Sequence, residues 1–220
     1  MDGNWNDEKY SEHYNRLYAT TAEEFGSCLK LLRLSAEDSI IDIGCGNGDF
    51  LLLASGIART ALGVDISEDQ VAQARKKLAG RPGAEVVLSS FLDFRPGGRF
   101  FSKGFSRKAL HHLKDPEKET FLMNIAPAFR QGAVFLLEDG IYFEFSRSEL
   151  DRNWDRLMAD AAAYYGDSWE MKKKDLIHSF REEFAASADE WTRIFDKAGF
   201  SVTDRMPKNS FYGTLIAVKR

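Results

Sequence analysis

Cysteine is scarce in this chain of 220 residues, with Cys28 and Cys45 the only two. So few thiols exclude a disulfide-stapled scaffold and fit a reducing compartment. Proline is also sparse, at five scattered positions, so no proline-rich linker divides the chain. Long apolar runs are missing. The richest, Phe50 to Ala58, is broken by Ser55 and Gly56 and falls short of the roughly 18 residues needed to cross a bilayer. No excess of one charge is present either: 30 Lys and Arg against 34 Asp and Glu leave a net charge of -4. That balance lacks the basic footprint of a nucleic-acid binder. The start, Met1 to Trp5, has neither a basic nor an apolar leader region, so a cytoplasmic protein with no membrane partner is expected, and the charge balance disfavours nucleic acid as a partner.

What the chain does have is core material: 44% hydrophobic residues, including 17 Phe. That is ample to offset chain entropy within one unit. Tyr10 to Leu34 reads as a helical lead-in, with Phe25, Leu29 and Leu32 at core-facing spacing. Ser39 to Ile43 is a short apolar run of the kind buried on both faces of a parallel sheet. Helix and strand then alternate. Helices are expected over 49–58, 68–78 and 115–129, the second opened by a Ser67/Gln70 box and the third by Asp115-Pro116. Strands are expected over 61–66, 84–89, 101–105 and 133–137. Ser187 and Glu190 form a further capping box, whose helix stops at Gly199 ahead of strands over 200–205 and 211–219.

This alternation requires right-handed crossovers and a Rossmann-like, doubly wound α/β sheet, here with seven strands, mostly parallel and with an antiparallel C-terminal strand. The expected organisation is a single domain: lead-in 1–38, ligand-binding core 39–141, helical cap 142–186 inserted between strand five and the last helix, and closing helix with strand pair 187–220. The cap carries an aromatic set, Trp154, Tyr164, Tyr165, Trp169 and Phe180.

Strand one runs directly into Asp42-Ile43-Gly44-Cys45-Gly46-Asn47-Gly48 and then a helix. Three alternating glycines free the backbone for positive φ and let a ligand approach amides at a helix start. Asp65, at the end of the second strand, is placed to accept hydrogen bonds from ribose hydroxyls, so the ligand is expected to be a nucleoside. A dinucleotide fingerprint would need G-x-G-x-x-G, but position 49 is Asp and the last glycine comes one residue early. A nicotinamide enzyme is therefore the weaker alternative. Cys45 has no neighbouring His in sequence and reads as a small packing residue.

The D-x-G-x-G-x-G string, the ribose-type acid and the closing antiparallel pair resemble the class I S-adenosylmethionine-dependent methyltransferases, over about Ser39 to Leu113 and again from Ser187 onward. The resemblance implies that Gly44, Cys45, Gly46, Asn47 and Gly48 wrap the methionine part of S-adenosyl-L-methionine, with Asp42 shaping the loop. It implies that Asp65 and Ile66 hold the nucleoside, and that the N-terminal segment bearing Tyr10, Tyr14 and Tyr18 folds over the cofactor. Ser90 stands where the family places an adenine-binding acid, followed by Phe91 as a cover for the purine, with Asp93 three residues late. The stretch Leu110-His111-His112-Leu113 looks like the family's segment beside the transferring methyl, which puts Ser106 near the cofactor's amino-acid end.

In-line methyl transfer needs alignment, and a base only if the acceptor arrives protonated. His111, His112 and Glu138 are the expected catalytic candidates, with Asp139 beside them, and no metal site is expected. Arg107 and Lys108, or Lys172 to Lys174, could recognise an acidic acceptor. The expected activity is methylation of a small-molecule acceptor by a monomer or homodimer. RNA or protein methylation and a non-catalytic S-adenosylmethionine-binding role are the alternatives.

Overall fold

In the computed structural model, which describes Tyr18 and residues 20–220, helix α1 (Ala22–Leu32) opens on a capping box. The Thr21 hydroxyl accepts from the Glu24 N–H, and the Glu24 carboxylate accepts from the Thr21 N–H. This helix is the described part of the expected lead-in; Tyr10 and Tyr14 lie outside the described residues.

The chain then alternates through β1 (Ser39–Ile43), α2 (Asp49–Ala54), β2 (Thr60–Asp65), α3 (Glu68–Lys77), β3 (Ala84–Leu88), β4 (Phe101–Arg107), α4 (Asp115–Ile125) and β5 (Phe129–Tyr142). The cap helices α5 (Trp154–Tyr165) and α6 (Trp169–Glu182) follow, then β6 (Ala186–Ser187), α7 (Ala188–Lys197), β7 (Phe200–Pro207) and β8 (Tyr212–Lys219). The main sheet runs β3-β2-β1-β4-β5-β8-β7, with β6 paired to the end of β5. β1 to β5 pair in parallel, and β8 runs antiparallel between β5 and β7. The strand order reverses between β1 and β4, which opens a crevice beyond their C-terminal ends.

Alternating side chains of β1 explain the two layers of core. Ile40 packs with Cys28, Leu32, Phe50, Leu51, Val71 and Ala74 beneath α1, α2 and α3, whereas Ile41 and Ile43 pack with Phe121, Leu122, Trp191 and Phe195 beneath α4 and α7. The cap has its own cluster, in which Leu157, Ala161, Leu176 and Phe180 surround Tyr142, Phe145 and Phe211.

Several boundaries differ from the sequence reading. An eighth strand is present because two residues, Ala186 and Ser187, pair with Ile141 and Tyr142. The helix expected to reach Phe129 ends at Ile125 and tightens to one 3-10 turn at Ala126–Ala128, since Pro127 offers no N–H to continue an α-helix. Helix α2 stops at Ala54, two residues before Gly56. β5 is 14 residues long, because Arg130-Gln131-Gly132 fall in an irregularity between the Phe101–Phe129 and Lys103–Val134 pairs and Glu138-Asp139-Gly140 remain in the ladder with β8.

Candidate active site

The glycine loop joins β1 to α2 at the crevice. Gly44, Gly46 and Gly48 have φ of 75°, 51° and 81°, a region that side chains disfavour. A Cβ at Gly44 would lie 2.4 Å from the Ala109 Cβ, and one at Gly48 would lie 2.9 Å from the Ala74 Cβ. At Gly46 the nearest atom would be the Gln70 Oε1 at 3.8 Å. The outer glycines thus let the loop press against the turn after β4 and against α3, and the middle one leaves bare main chain. Cys45 turns inward, its buried thiol over Gly63, and burial followed by the Asp42 charge pushes that thiol well up. A thiol held neutral in this way is a packing group.

Asp65 closes the far side of the loop. Its carboxylate accepts from the Gly46 N–H at 2.8 Å and the Ser67 N–H at 3.0 Å. Burial pushes Asp65 up, against the pull of those backbone donors. Asp42 lies at the end of β1, also buried, and is pushed well up by burial and then by the Asp65 charge. Both carboxyls border one cavity of about 480 Å³ that also takes in Gly44, Cys45, Gly46 and Asn47. That volume lies within the roughly 300–1,000 Å³ of small-molecule sites.

Further along the cavity stand Ile66, Ser90 and Phe91. Asp93 reaches back to Ser90: the Ser90 hydroxyl donates to its carboxylate at 2.6 Å and accepts from its N–H at 3.1 Å. The acid that arrives three residues late therefore acts on the cavity wall through Ser90. Gly48 and Ser106 are not on that wall; Gly48 backs onto α3, and the buried Ser106 hydroxyl donates to the Ile43 carbonyl at 2.9 Å, tying β4 to β1.

The opposite end is basic and aromatic. Lys108 adopts a left-handed backbone, φ 52°, and its N–H donates to the Glu138 carbonyl at 2.9 Å. Its ammonium stands 5.4 Å from the Tyr18 ring centroid and 5.9 Å from that of Tyr212. Lys172 of the cap approaches the same Tyr18 ring at 5.1 Å. Burial, then the Arg107 charge, brings Lys108 down to about 7. Arg107 is neutralised by Glu138 at 2.6 Å and Glu24 at 3.2 Å, whereas no described carboxylate pairs with Lys108.

Glu138 lies behind this end, off the cavity wall. It accepts from Arg107, from Lys208 at 3.0 Å, from the Tyr212 hydroxyl at 2.8 Å and from the Thr214 hydroxyl at 3.1 Å. Burial pushes its carboxyl up, but Arg107 and Lys208 outweigh burial and hold it at about 2.

The two histidines occupy a 3-10 turn after β4, Leu110–His112. Asp139, wholly buried, accepts from the Leu110 and His111 N–H groups at 2.9 and 3.1 Å and from the His111 Nδ1. His111 Nε2 lies 3.3 Å from one Glu183 oxygen and His112 Nδ1 lies 3.4 Å from the other. Burial lowers both imidazoles, but Asp139 and Glu183 bring His111 up to about 10, while His112 stays low beside it. Of the two, His112 borders the cavity. The sequence reading did not pick out Glu183 or its neighbour Phe184, which also lines the cavity, because Arg181-Glu182-Glu183 reads as a solvated helix end.

A glycine cradle at the switch point of a doubly wound sheet, facing an acid at the end of the next strand, defines a nucleoside-binding α/β protein. Comparison with known proteins agrees. The family model described as a methyltransferase domain matches residues 40–132, which hold the loop and Asp65. An uncharacterized methyltransferase of Geobacillus sp. strain WCH70 is 24% identical over 216 residues, covering 97% of this chain and 91% of that protein. The magnesium protoporphyrin IX methyltransferase of Synechocystis PCC 6803 with bound S-adenosylmethionine superposes with a TM-score of 0.66 at 14% identity, covering 100% of this chain and 95% of that one. The mitomycin 7-O-methyltransferase MmcR gives 0.67 at 17% identity, covering 97% and 58%. Residues 40–132 thus match a methyltransferase domain, and the chain as a whole shares the Rossmann-like fold of these methyltransferases, one of which is described with bound S-adenosylmethionine.

Proposed function

We propose that this enzyme methylates a small molecule carrying an anionic group, held between the cofactor loop and the cap. One observation carries the reading: Lys108, in a strained left-handed conformation, holds its half-buried amine between two tyrosine rings, where the Glu24 and Glu138 charges act on it but no described carboxylate forms an ion pair with it. Strain and an unpaired charge are retained where a ligand repays them. An anionic acceptor beside Lys108 supplies the counter-charge that burial denies it, and Lys172 enters from the cap side.

The bare backbone at Gly46 and the paired acids at Asp42 and Asp65 suit the donor. When bound, S-adenosylmethionine supplies a methyl group on a sulfonium, and its transfer to an acceptor lone pair leaves the neutral thioether S-adenosylhomocysteine. Asp65 would hold the ribose, the Gly44 to Asn47 main chain the methionine part, and Ile66 with Phe91 the purine. Phe184 closes the wall against water, and His112 is the member of the histidine turn that meets the acceptor. The enzyme's work is chiefly alignment of the nucleophile with the methyl carbon.

The test is turnover of labelled S-adenosylmethionine with pooled small carboxylic and phosphorylated acids, against neutral analogues of the same skeletons. Acids should be methylated selectively, and Lys108→Met should raise their KM roughly tenfold or more, the worth of one charge-assisted contact. Equal turnover of the neutral analogues, unaffected by the substitution, would refute it.

A further inference from the structure

The histidine turn contains more than the methyl transfer uses. We propose that His111, His112 and Glu183 bind a divalent first-row transition metal, zinc first among them, and that the bound ion fastens the end of the cap to the turn after β4.

Two imidazoles and one carboxylate are a donor set of intermediate softness, suited to zinc and its neighbours. One ligand atom from each residue can be chosen so that all three lie within 4.8 Å of one another. The shorter separations, 3.3 Å from His111 Nε2 and 3.4 Å from His112 Nδ1 to the Glu183 oxygens, are long for charge-assisted hydrogen bonds, which close to about 2.7–2.9 Å. Each imidazole thus faces its own Glu183 oxygen at about the 3.3–3.4 Å edge of a tetrahedron built on metal–ligand bonds of about 2.0–2.1 Å, and a small rotation of the carboxylate, within the 4.8 Å spread of the three ligand atoms, brings one oxygen to both rings.

The supporting contacts are those a metal site needs. Asp139 engages His111 through Nδ1, which fixes the ring and turns Nε2 toward Glu183, the arrangement that metal-ligating histidines use; an arriving cation would displace the Nε2 proton. Asp139 is itself fixed by backbone N–H groups from Leu110, His111 and Gly140. The Ser179 hydroxyl donates to the Glu183 carboxylate. The backbone around the ligands is stitched in place as well: the Phe184 N–H donates to the His111 carbonyl at 2.9 Å, Lys118 donates to the Leu113 and Phe184 carbonyls, and Arg147 donates to that of Glu183. The ligands are thus preorganised before any ion arrives. They are shielded yet reachable, with side-chain exposures of 11% for His111, 24% for His112 and 10% for Glu183. Sequence spacing gave no metal signal because the carboxylate lies 71 residues beyond His112.

Chelator-stripped, tag-free full-length protein, titrated with zinc and separately with cobalt, tests this. One equivalent should bind at micromolar concentration or tighter, with cobalt giving the intense absorption of a tetrahedral site. Glu183→Gln and His112→Gln should weaken uptake by roughly a hundredfold or more, and Asp139→Asn by roughly 10- to 100-fold. Cooperative thermal unfolding of each ion-free variant reports that it has folded, and because no turnover is read the test stays separate from the acceptor reading. Failure of the wild type to take up either ion at micromolar concentration would overturn the proposal. So would uptake that the Glu183→Gln and His112→Gln variants share.

Discussion

Replacing Glu138 by Gln separates support from catalysis in the most heavily bonded carboxylate of the site. In the wild type the Glu138 carboxyl sits at about 2 rather than 4.5, because Arg107 and Lys208 outweigh its burial. A difference of about 2.5 units at roughly 1.36 kcal/mol each corresponds to about 3 kcal/mol of folding stability. The sign follows from the direction of the shift. A carboxyl depressed in the folded state contributes fully above its unfolded value, and the contribution fades as pH falls from about 4.5 through about 2. Gln keeps the shape and can still accept from Tyr212 or Thr214, but it leaves the Arg107 guanidinium with Glu24 as its remaining partner. Urea unfolding of wild type and Glu138→Gln, compared at a series of pH values, should show a gap of about 3 kcal/mol near neutrality that closes toward pH 2, other acid effects cancelling in the difference. Cofactor affinity should change little, since Glu138 lies off the cavity wall. A gap under about 1 kcal/mol, or one that does not vary with pH, would refute the reasoning. So would a collapse of kcat at unchanged stability.

Further outcomes follow from the same geometry. Gly44→Ala drives a Cβ to 2.4 Å from that of Ala109 and should abolish S-adenosylmethionine binding in calorimetry, whereas Gly46→Ala, with open space around it, should fold and cost about 1–2 kcal/mol of backbone strain. Asp65→Ala should weaken cofactor binding by roughly 10- to 100-fold through loss of charge-assisted bonds to the ribose, measurable by the same titration. For Lys108 the slope with pH has the same sign as for Glu138, but the ionised form is the disfavoured one: an amine lowered to about 7 from 10.5 costs the fold stability at lower pH, a cost relieved as pH rises from about 7 toward 10.5. Wild type should therefore gain on Lys108→Met as pH rises across that window, as thermal melts at several pH values would show.

The cofactor half was legible in the sequence because its signals are local. A buried apolar strand, three glycines and an acid at the end of the next strand all fall within 27 residues, from Ser39 to Asp65, and the structure places Asp42, Gly44, Gly46 and Asp65 of that stretch around one cavity. The Ser187 and Glu190 box was equally readable, since capping chemistry spans four residues. The far end was not. Glu138 and Asp139 read as free carboxylates after a strand, yet their partners lie up to 76 residues away, at Thr214 for Glu138 and at His111 for Asp139. Glu183 faces the histidines only because the cap folds back. Lys108 could not be singled out for its backbone, since nothing in Arg107-Lys108-Ala109 announces a positive φ.

The cap is suspended from the overhang of β5, where Ile141 and Tyr142 meet β6, and Tyr142 already belongs to the cap's own apolar cluster rather than to either layer over the sheet. Residues 143–185 therefore leave and rejoin the framework at neighbouring points, like a fitting on a socket. On the acceptor reading proposed above, a different segment grafted there would replace Phe184 in the cavity wall and Lys172 beside Tyr18 while Gly44 to Asn47 and Asp65 kept their places, so acceptor choice would diverge by exchange of one continuous stretch of chain.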